Sequence, residues 1–304
     1  MPLSLQVFIV TFVVGILLRS CGALTKAHAE RLAAFVFSVS LPATILVSLD
    51  RVPLTSTAGK LPLAACLITL PMLFCSWRLA RLLSLPRATQ GGFVLATSSI
   101  NSVYFAFPVI LATFGEEGLT YAVLFDLGQT TLTLTVLYGL AMWHSTQTAT
   151  HGSAAIRLLS SPPLWALVCI LIIKLSGQHL PLWLIDLLTP IHLTTTPLAS
   201  LVLGLSISFS TIWRTARLAT VGVATRTGGG LLLGLTAVGI LDLTGVERAV
   251  VILISAMPSA VSALIIAAET HLDEELVASI VAFSICLGVL MLPWLPRLAV
   301  MLLG

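Results

Sequence analysis

Polar side chains interrupt two apolar stretches of the sequence, and a proline accompanies each interruption. The first interruption contains Thr97, Ser98, Ser99, Asn101, Ser102 and, further along, Pro108. The second contains Ser255, Met257, Pro258, Ser259 and Ser262. Proline cannot donate to the backbone ladder of a helix, so nearby carbonyl groups need other partners. Amide and hydroxyl groups beside a restarting helix, with its free N–H groups and positive dipole end, would suit a small anion.

These prolines have two interpretations. Each could simply kink a packed helix, in which case the polar residues around it would be structural. Alternatively, the helices are interrupted near Asn101–Pro108 and near Met257–Ala263, and the second half of the first helix restarts near Pro108. We favour the second interpretation because the two prolines lie at corresponding places in two halves of the chain, as described below.

Two ionisable residues, Asp126 and Arg226, also lie well inside apolar stretches. A charge in lipid is costly, so each is a candidate functional residue. We predict that the two form a structural ion pair, and the alternative is a role in coupling or with the anion. Gly228, Gly229 and Gly230 beside Arg226 are interpreted as sites of close helix packing. His192 has no second ligand near it and is interpreted as a hydrogen-bonded packing residue.

The composition identifies the elements that must position these residues. Hydrophobic residues make up 58% of the chain and charged residues 9%, and the mean hydropathy is +1.08. A soluble domain carries about 25% charged residues, so this chain lacks the polar surface that such a domain needs. With roughly 20 apolar residues per span, we predict an all-α integral membrane protein with no sizeable soluble domain.

Ten apolar stretches are predicted as spans 1–10. They are Leu3–Leu18, Leu32–Leu49, Leu61–Leu83, Gly91–Phe114, Leu119–Trp143, Leu164–Leu175, Leu182–Phe209, Ala216–Leu241, Ala249–Ala268 and Leu276–Leu303. A polar link, His144–Pro163, separates a first repeat (1–143) from a second repeat (164–304). The first span has no charged region before it, so it is interpreted as a retained span and not as a cleaved signal peptide.

Loop charges indicate the orientation and limit the partners. If the N-terminus is outside, nine basic residues lie in inner loops and five in outer loops. The five outer residues are Arg51, Lys60, Lys174, Arg248 and Arg297. Positive charge is enriched in cytoplasmic loops, so both termini are predicted outside. The net charge of +3 is scattered and does not indicate a nucleic-acid partner. Five cysteines without a CxxC pair do not indicate a disulfide framework or a metal site.

The two halves of the chain resemble each other. Spans 2 and 7 contain Pro42 and Pro197 among small residues, and spans 4 and 9 each end in an apolar-to-acidic segment. Because five spans is an odd number, two such halves must have opposite orientations in the membrane. Inverted repeats with interrupted helices at corresponding positions are typical of secondary transporters. We therefore predict that spans 4 and 9 cross near the bilayer midplane.

The order and spacing of several motifs resemble the auxin efflux carrier family, which includes bacterial permeases for malate and other organic anions. The resemblance covers all ten spans. The motifs are Asn101 with Pro108, Phe114-Gly115, Gln129, Ala256-Met257-Pro258-Ser259, Ala268-Glu269 and Leu276. It implies the fold of sodium–bile acid symporters, with spans 1, 2, 6 and 7 as a scaffold and spans 3–5 and 8–10 as an elevator-like transport domain.

The resemblance also implies a site and an assembly. Asn101 would contact a carboxylate, Pro108 would mark the break in span 4, Gln129 would line the site, and two copies would pair through the scaffold in the cell membrane. No cofactor is implied.

Two departures from the family pattern limit what the resemblance implies for this chain. Ala263 stands where plant carriers have a proline, so the break in span 9 is expected either at Pro258 or in a milder form. Span 3 lacks the acidic residue of those carriers, having only Arg78 and Arg81 near its end.

Two other functions remain as alternatives. A sodium-coupled symporter would need oxygen ligands for Na⁺ around the crossing, and the side chains there are Ser, Asn and Gln. An intramembrane hydrolase is suggested by Gly204-Leu205-Ser206, with His192 as a base. Those two residues are 14 positions apart on one helix, which is about 21 Å of rise, so a direct hydrogen bond between them is not expected.

Overall fold

The computed structural model of the protein describes residues 3–51, 59–145, 159–206 and 215–294, and these residues are almost entirely helical. Within these ranges, six helical segments are long and apolar enough to cross a bilayer. Two further apolar helices, Gln6–Ser20 and Pro162–Leu175, are shorter. The prediction of an all-helical, multi-pass membrane protein is therefore confirmed. Most of the predicted polar link and the ends of spans 7 and 10 lie outside the described residues.

The helices are numbered here along the chain. They are α1 (Leu3–Ser20), α2 (Lys26–Phe35), α3 (Leu41–Arg51), α4 (Lys60–Leu82), α5 (Arg87–Ser98), α6 (Phe107–Leu132), α7 (Tyr138–His144), α8 (Pro162–Leu175), α9 (Leu182–Ser206), α10 (Ala216–Ala224), α11 (Gly230–Leu241), α12 (Gly245–Ser255), α13 (Ser262–Glu269) and α14 (Glu274–Met291).

Four π-helical turns join or precede these helices in the described part of the chain. Val36–Ser40 joins α2 to α3, Ser102–Ala106 precedes α6, Thr133–Leu137 joins α6 to α7, and Thr225–Gly229 joins α10 to α11. Turns of this kind insert one extra residue into a helix and are frequent at functional sites. Two of the four, those at Ser102 and at Arg226, carry candidate site residues.

Gly115 interrupts α6 with φ 67° and ψ −159°. A side chain would make this backbone conformation strained, so glycine is the residue that permits it. The interruption falls between predicted spans 4 and 5, and it divides a helical stretch that otherwise runs from Ser102 to His144. The acidic pair Glu116–Glu117 follows it directly.

The helices pack into two groups. In the first group, α1 lies along α9, and α3 packs against α8 and α9. In the second group, α4 packs against α5, α6 and α11, while α14 packs against α5 and α10. The first group contains the helices of predicted spans 1, 2, 6 and 7, and the second contains those of spans 3–5 and 8–10. Contacts of α6 with α1 and α3 join the groups.

Two glycines allow the close contact of α1 with α9. A Cβ atom on Gly15 would lie 2.6 Å from the carbonyl oxygen of Leu201, and one on Gly204 would clash with the carbonyl oxygen of Phe12. Gly204 therefore has a packing role. Ser206, from the motif that suggested a hydrolase, donates to the carbonyl of Val202 at 2.7 Å.

The Gly204→Ala substitution should separate α1 from α9, because the added methyl group meets backbone atoms that cannot rotate away. Overpacking of this kind costs about 1–3 kcal/mol, and thermal unfolding of the purified protein in detergent would measure it. Gly239→Ala in α11 is the matched control, since no atom lies within 4 Å of its added Cβ. Equal melting temperatures for the two variants would contradict this packing.

Candidate functional site

Two helical segments are interrupted, and the interruptions pair with each other. The helix α5 ends at Ser98, and its chain resumes a helical course at Ser102. The helix α12 ends at Ser255, and α13 begins at Ser262. Ile100 and Ser259 form an antiparallel β-bridge. The two paired segments, residues 99–101 and 256–261, are called the junction below.

Backbone hydrogen bonds hold the junction together. The N–H of Asn101 donates to the carbonyl of Pro258 at 2.9 Å, and the N–H of Ala260 donates to the carbonyl of Ser99 at 3.3 Å. Unwound backbone at membrane depth is tolerated only where protein or a cavity satisfies its polar groups. Each interrupted segment therefore supplies partners for the other.

Ser259 and Asn101 are tied differently into the junction. The N–H of Ser259 donates to the hydroxyl oxygen of Ser284 at 3.0 Å, and the Ser259 hydroxyl donates to the carbonyl of Ala96. Both groups of Ser259 are therefore structural. The Asn101 amide donates to the carbonyl of Ser259 at 3.4 Å, but its buried Oδ1 has no hydrogen-bond partner. One half of that amide remains available to a ligand.

Arg226 bridges the ends of the two helices that lead into the junction. Its side chain is fully buried; Nη1 donates to the carbonyl of Thr97 at 3.2 Å, and Nη2 donates to the carbonyl of Ser255. These carbonyls belong to the C-terminal turns of α5 and α12, where helices leave acceptors unsatisfied and carry partial negative charge. One cation thus satisfies two helix ends, while its Nε has no partner.

Glycines make room for this guanidinium. A Cβ atom on Gly230 would clash with Arg226 and with the carbonyl of Ser255, and one on Gly234 would clash with the side chain of Ser255. The close packing predicted beside Arg226 is therefore real at Gly230. It is wrong for Gly228, where an added Cβ would meet nothing within 4 Å, while a Cβ on Gly229 would meet only Met72.

The structure contradicts the predicted ion pair between Asp126 and Arg226. Arg226 contacts the two helix ends described above, whereas the Asp126 carboxylate accepts a hydrogen bond from Thr130 at 3.1 Å and lines a cavity beside α3 and α8. The prediction rested on the depth of each residue in the membrane, estimated from the helical rise per residue. Depth does not specify which side of a helix a residue occupies. The two side chains project toward different neighbours.

The interruption predicted near Asn101–Pro108 is present, and α6 begins at Phe107, beside Pro108. The break lies at residues 99–101, and Pro108 is buried in the first turn of α6, after the helical course has already resumed at Ser102. The π turn Ser102–Ala106 immediately precedes α6. Because proline removes only one backbone donor, Pro108 does not end this helical course. On the other side of the junction, the break does include Pro258, while Ala263 lies within α13.

The remaining predicted residues divide between the junction and its surroundings. Ser99 and Met257 are buried in the junction, and Ser262 begins α13. Gln129 instead lies between helices: its Oε1 accepts from Thr69 of α4, and its Nε2 donates to Thr133 at 3.4 Å. These bonds tie α6 to α4, a role that the sequence resemblance did not indicate.

Sequence reasoning missed two groups that the junction leaves without partners. The buried hydroxyls of Ser98 and Ser102 form no hydrogen bond with the protein. Both residues were recognised as polar from the sequence. Their importance comes from their positions, because Ser98 is the last residue of α5 and Ser102 is the first residue of the next helical turn. The Arg226 Nε and the Asn101 Oδ1 also have no hydrogen-bond partner. Ser98, Asn101 and Ser102 lie at the break between α5 and α6, and Arg226 contacts the end of α5 there.

A cavity of about 660 Å³ extends between the two helix groups. It is bounded by α1, α2 and α9 on one side and by α13 and α14 on the other, and it includes Val261 of the junction. Its polar rim consists of Arg19, Glu30, Ser206, Glu269, Glu274 and Glu275. The cavity therefore borders the junction at Val261, and most of the charged residues that line it are carboxylates.

Comparisons with known proteins identify the class. Residues 2–296 match the model of the membrane transport protein family. An uncharacterized transporter of Methanothermobacter thermautotrophicus is 31% identical over 292 residues, covering 94% of each chain. An uncharacterized transporter of Methanocaldococcus jannaschii is 25% identical over 288 residues, covering 90% of each chain. The chain belongs to the membrane transport protein family. This membership agrees with the resemblance to auxin efflux carriers and with the prediction that the protein is not an enzyme.

Removing the Arg226 guanidinium should leave the carbonyls of Thr97 and Ser255 without donors. We expect Arg226→Ala to lower the free energy of unfolding by about 1–3 kcal/mol for each orphaned carbonyl, measured by thermal or denaturant unfolding. Arg217→Ala, at an exposed position of α10, is the control.

Because no Asp126–Arg226 pair exists, the losses of stability from Asp126→Asn and Arg226→Ala should add in the double variant. Recovery of stability in the double variant would contradict the assignment.

Proposed function

We propose that the protein is a secondary transporter for a small organic anion whose carboxylate binds at the junction. The observation that carries this proposal is the fully buried, permanently charged Arg226, whose neighbours are backbone carbonyls and not a carboxylate. Its Nε–H and the hydroxyls of Ser98 and Ser102 are donors without partners. A carboxylate accepts such donors and supplies the negative charge that this site lacks.

Helix geometry adds to this electrostatic preference. The helical course resumes at Ser102 on one side of the junction and at Ser262 on the other, so two positive helix ends face it. The negative ends of α5 and α12 are already occupied by Arg226. Arg226 and the two helix starts therefore favour an anion at the junction.

The architecture that we propose for transport is ten membrane spans in two inverted repeats. The first helix group would act as the scaffold, and the second group would carry the junction across the membrane as an elevator. The large cavity between the groups supports this division, since it separates the two groups beside Val261 of the junction and is lined by several glutamates. We further propose a homodimer in the cell membrane with both termini outside, which would place the polar rim of that cavity on the cytoplasmic side.

A sodium-coupled symporter is the alternative transporter. In transporters with broken helices, carbonyls at half-helix C-terminal ends often coordinate Na⁺. The carbonyls of Thr97 and Ser255 occupy such positions here, but they already accept from Arg226. A guanidinium and a sodium ion cannot share these oxygens, so Arg226 favours transport without Na⁺ at this place.

Carboxylate binding can be tested by the melting temperature of the purified protein. Malate and indole-3-acetate are suitable probes, because one is a small dicarboxylate and the other an aromatic monocarboxylate. We expect at least one to raise the melting temperature, equally in sodium and in choline buffer. Asn101→Ala should weaken that binding by about 1–3 kcal/mol, because the amide can turn its Nδ2–H from the carbonyl of Ser259, 3.4 Å away, to the carboxylate.

Thr113→Ala serves as the control for this experiment. Thr113 lies in α6 outside the junction, and its hydroxyl donates to the carbonyl of Val109 within the same helix at 2.7 Å. It should bind the probe as the wild type does. Binding by Asn101→Ala at wild-type strength would remove Asn101 from the site. A melting shift that requires sodium would favour the symporter.

A further inference from the structure

Asp126 is a buried carboxylate that the anion site does not use. Its side chain is 8% exposed, and Thr130 donates to its Oδ2 at 3.1 Å. The Ser102 hydroxyl is close enough to influence the carboxylate but forms no hydrogen bond with it. No cationic side chain pairs with Asp126 among the residues that the structure describes. The carboxylate thus lacks the partner that a permanently ionised buried acid requires.

The carboxylate faces the boundary between the two helix groups. It lines a cavity of about 30 Å³ that is bordered on the other side by α3 and α8, which is room enough for at least one water molecule. The facing side chains of Leu41, Ile45, Leu164 and Leu167 are apolar. Ser161 also lines the cavity, and its buried hydroxyl has no hydrogen-bond partner. The cavity thus offers a polar ligand two buried oxygen-bearing groups, one from each helix group.

This position constrains any movement of the second group along the first. An ionised carboxylate on α6 would have to pass the apolar side chains of α3 and α8, and a charge in such surroundings is costly. A neutral carboxylic acid would pass at far lower cost, because only a hydrogen-bonding group would be desolvated. The charge on Asp126 therefore sets the barrier to movement between the groups.

We propose that Asp126 is the proton-binding site of the transporter, and that its protonation releases the second helix group to move along the first. An O–H bond forms when the carboxylate takes a proton from water on one side of the membrane, and that bond breaks when the proton passes to water on the other side. With Asp126 ionised, a water held between it and Ser161 fixes α6 against α8. This inference rests on the elevator movement in the proposed function and adds a proton to each cycle.

Other ionisable groups do not explain such a dependence at this place. The lining of the small cavity contains no second acid or base. The other ionisable side chains on α6 and on the elements packed around it do not line this cavity. They are Arg19, Asp50, Lys60, Arg78, Arg81, Tyr104, Glu116, Glu117, Tyr121, Tyr138, His144, Lys174, Asp186, His192, Glu247 and Arg248. Of these, Asp50 accepts the Leu180 N–H at 2.9 Å, and His192 lies 3.4 Å from Glu116.

The test measures the movement directly and needs no substrate. Spin labels at Leu187 of α9 and Ile240 of α11, both largely exposed, would report the distance between the groups on a cysteine-free background. In the wild type, acidification should increase the population of a second distance. Asp126→Asn should show that population at every pH, because its side chain is always neutral. Asp126→Glu should retain the response, and Asp186→Asn, at an exposed position of α9, should behave as the wild type.

Two results would overturn the proposal: a wild-type distance that does not respond to pH, or an Asp126→Asn variant that still responds. If Asp126→Asn does not fold, infrared spectra of the wild type and Asp126→Glu decide the question. A carboxylic-acid carbonyl band that appears on acidification and shifts in Asp126→Glu supports the site, and an unchanged band refutes it. Failure of malate and indole-3-acetate to bind would count against the anion site and leave this readout intact.

Discussion

The junction depends on one interaction, the guanidinium of Arg226 between the C-terminal carbonyls of two interrupted helices. Two helices that stop inside a membrane leave several acceptors unsatisfied, and each unsatisfied group costs several kcal/mol in a nonpolar surrounding. The β-bridge between Ile100 and Ser259 satisfies some groups, and the Ser259 hydroxyl reaches the Ala96 carbonyl in the last turn of α5, but the carbonyls of Thr97 and Ser255 need a further donor. A buried cation with several donors supplies it and also compensates the dipoles of both helices.

The site follows from what this arrangement leaves over. Because the carbonyls of Thr97 and Ser255 already have their donor, the unsatisfied groups near the junction are mainly donors. The same arrangement lies wholly within the second helix group, so that the proposed movement would carry it intact. The contacts that must change lie at the boundary with the first group, where the Asp126 carboxylate faces apolar side chains of α3 and α8.

Sequence reasoning predicted the helical membrane architecture and the two interruptions, because apolar runs and polar residues beside prolines are local signals. The centre of the first break lies before Pro108, because the π turn Ser102–Ala106 resumes the helical course ahead of the proline. Sequence reasoning paired Asp126 with Arg226 because residue counts give depth in a membrane but not the direction in which a side chain points. The role of Arg226 depends on two carbonyls that are 129 and 29 positions away, and no pattern of side chains reveals that.

A direct measurement of the central claim is the position of a bound carboxylate in an experimental structure. Bromosuccinate is a suitable ligand because the anomalous scattering of bromine locates the molecule without ambiguity. The account predicts that a carboxylate lies within hydrogen-bonding distance of Ser102 and the Nε of Arg226, while the guanidinium still contacts the carbonyls of Thr97 and Ser255. A carboxylate bound away from the junction, or a metal ion at those two carbonyls with Arg226 displaced, would contradict it.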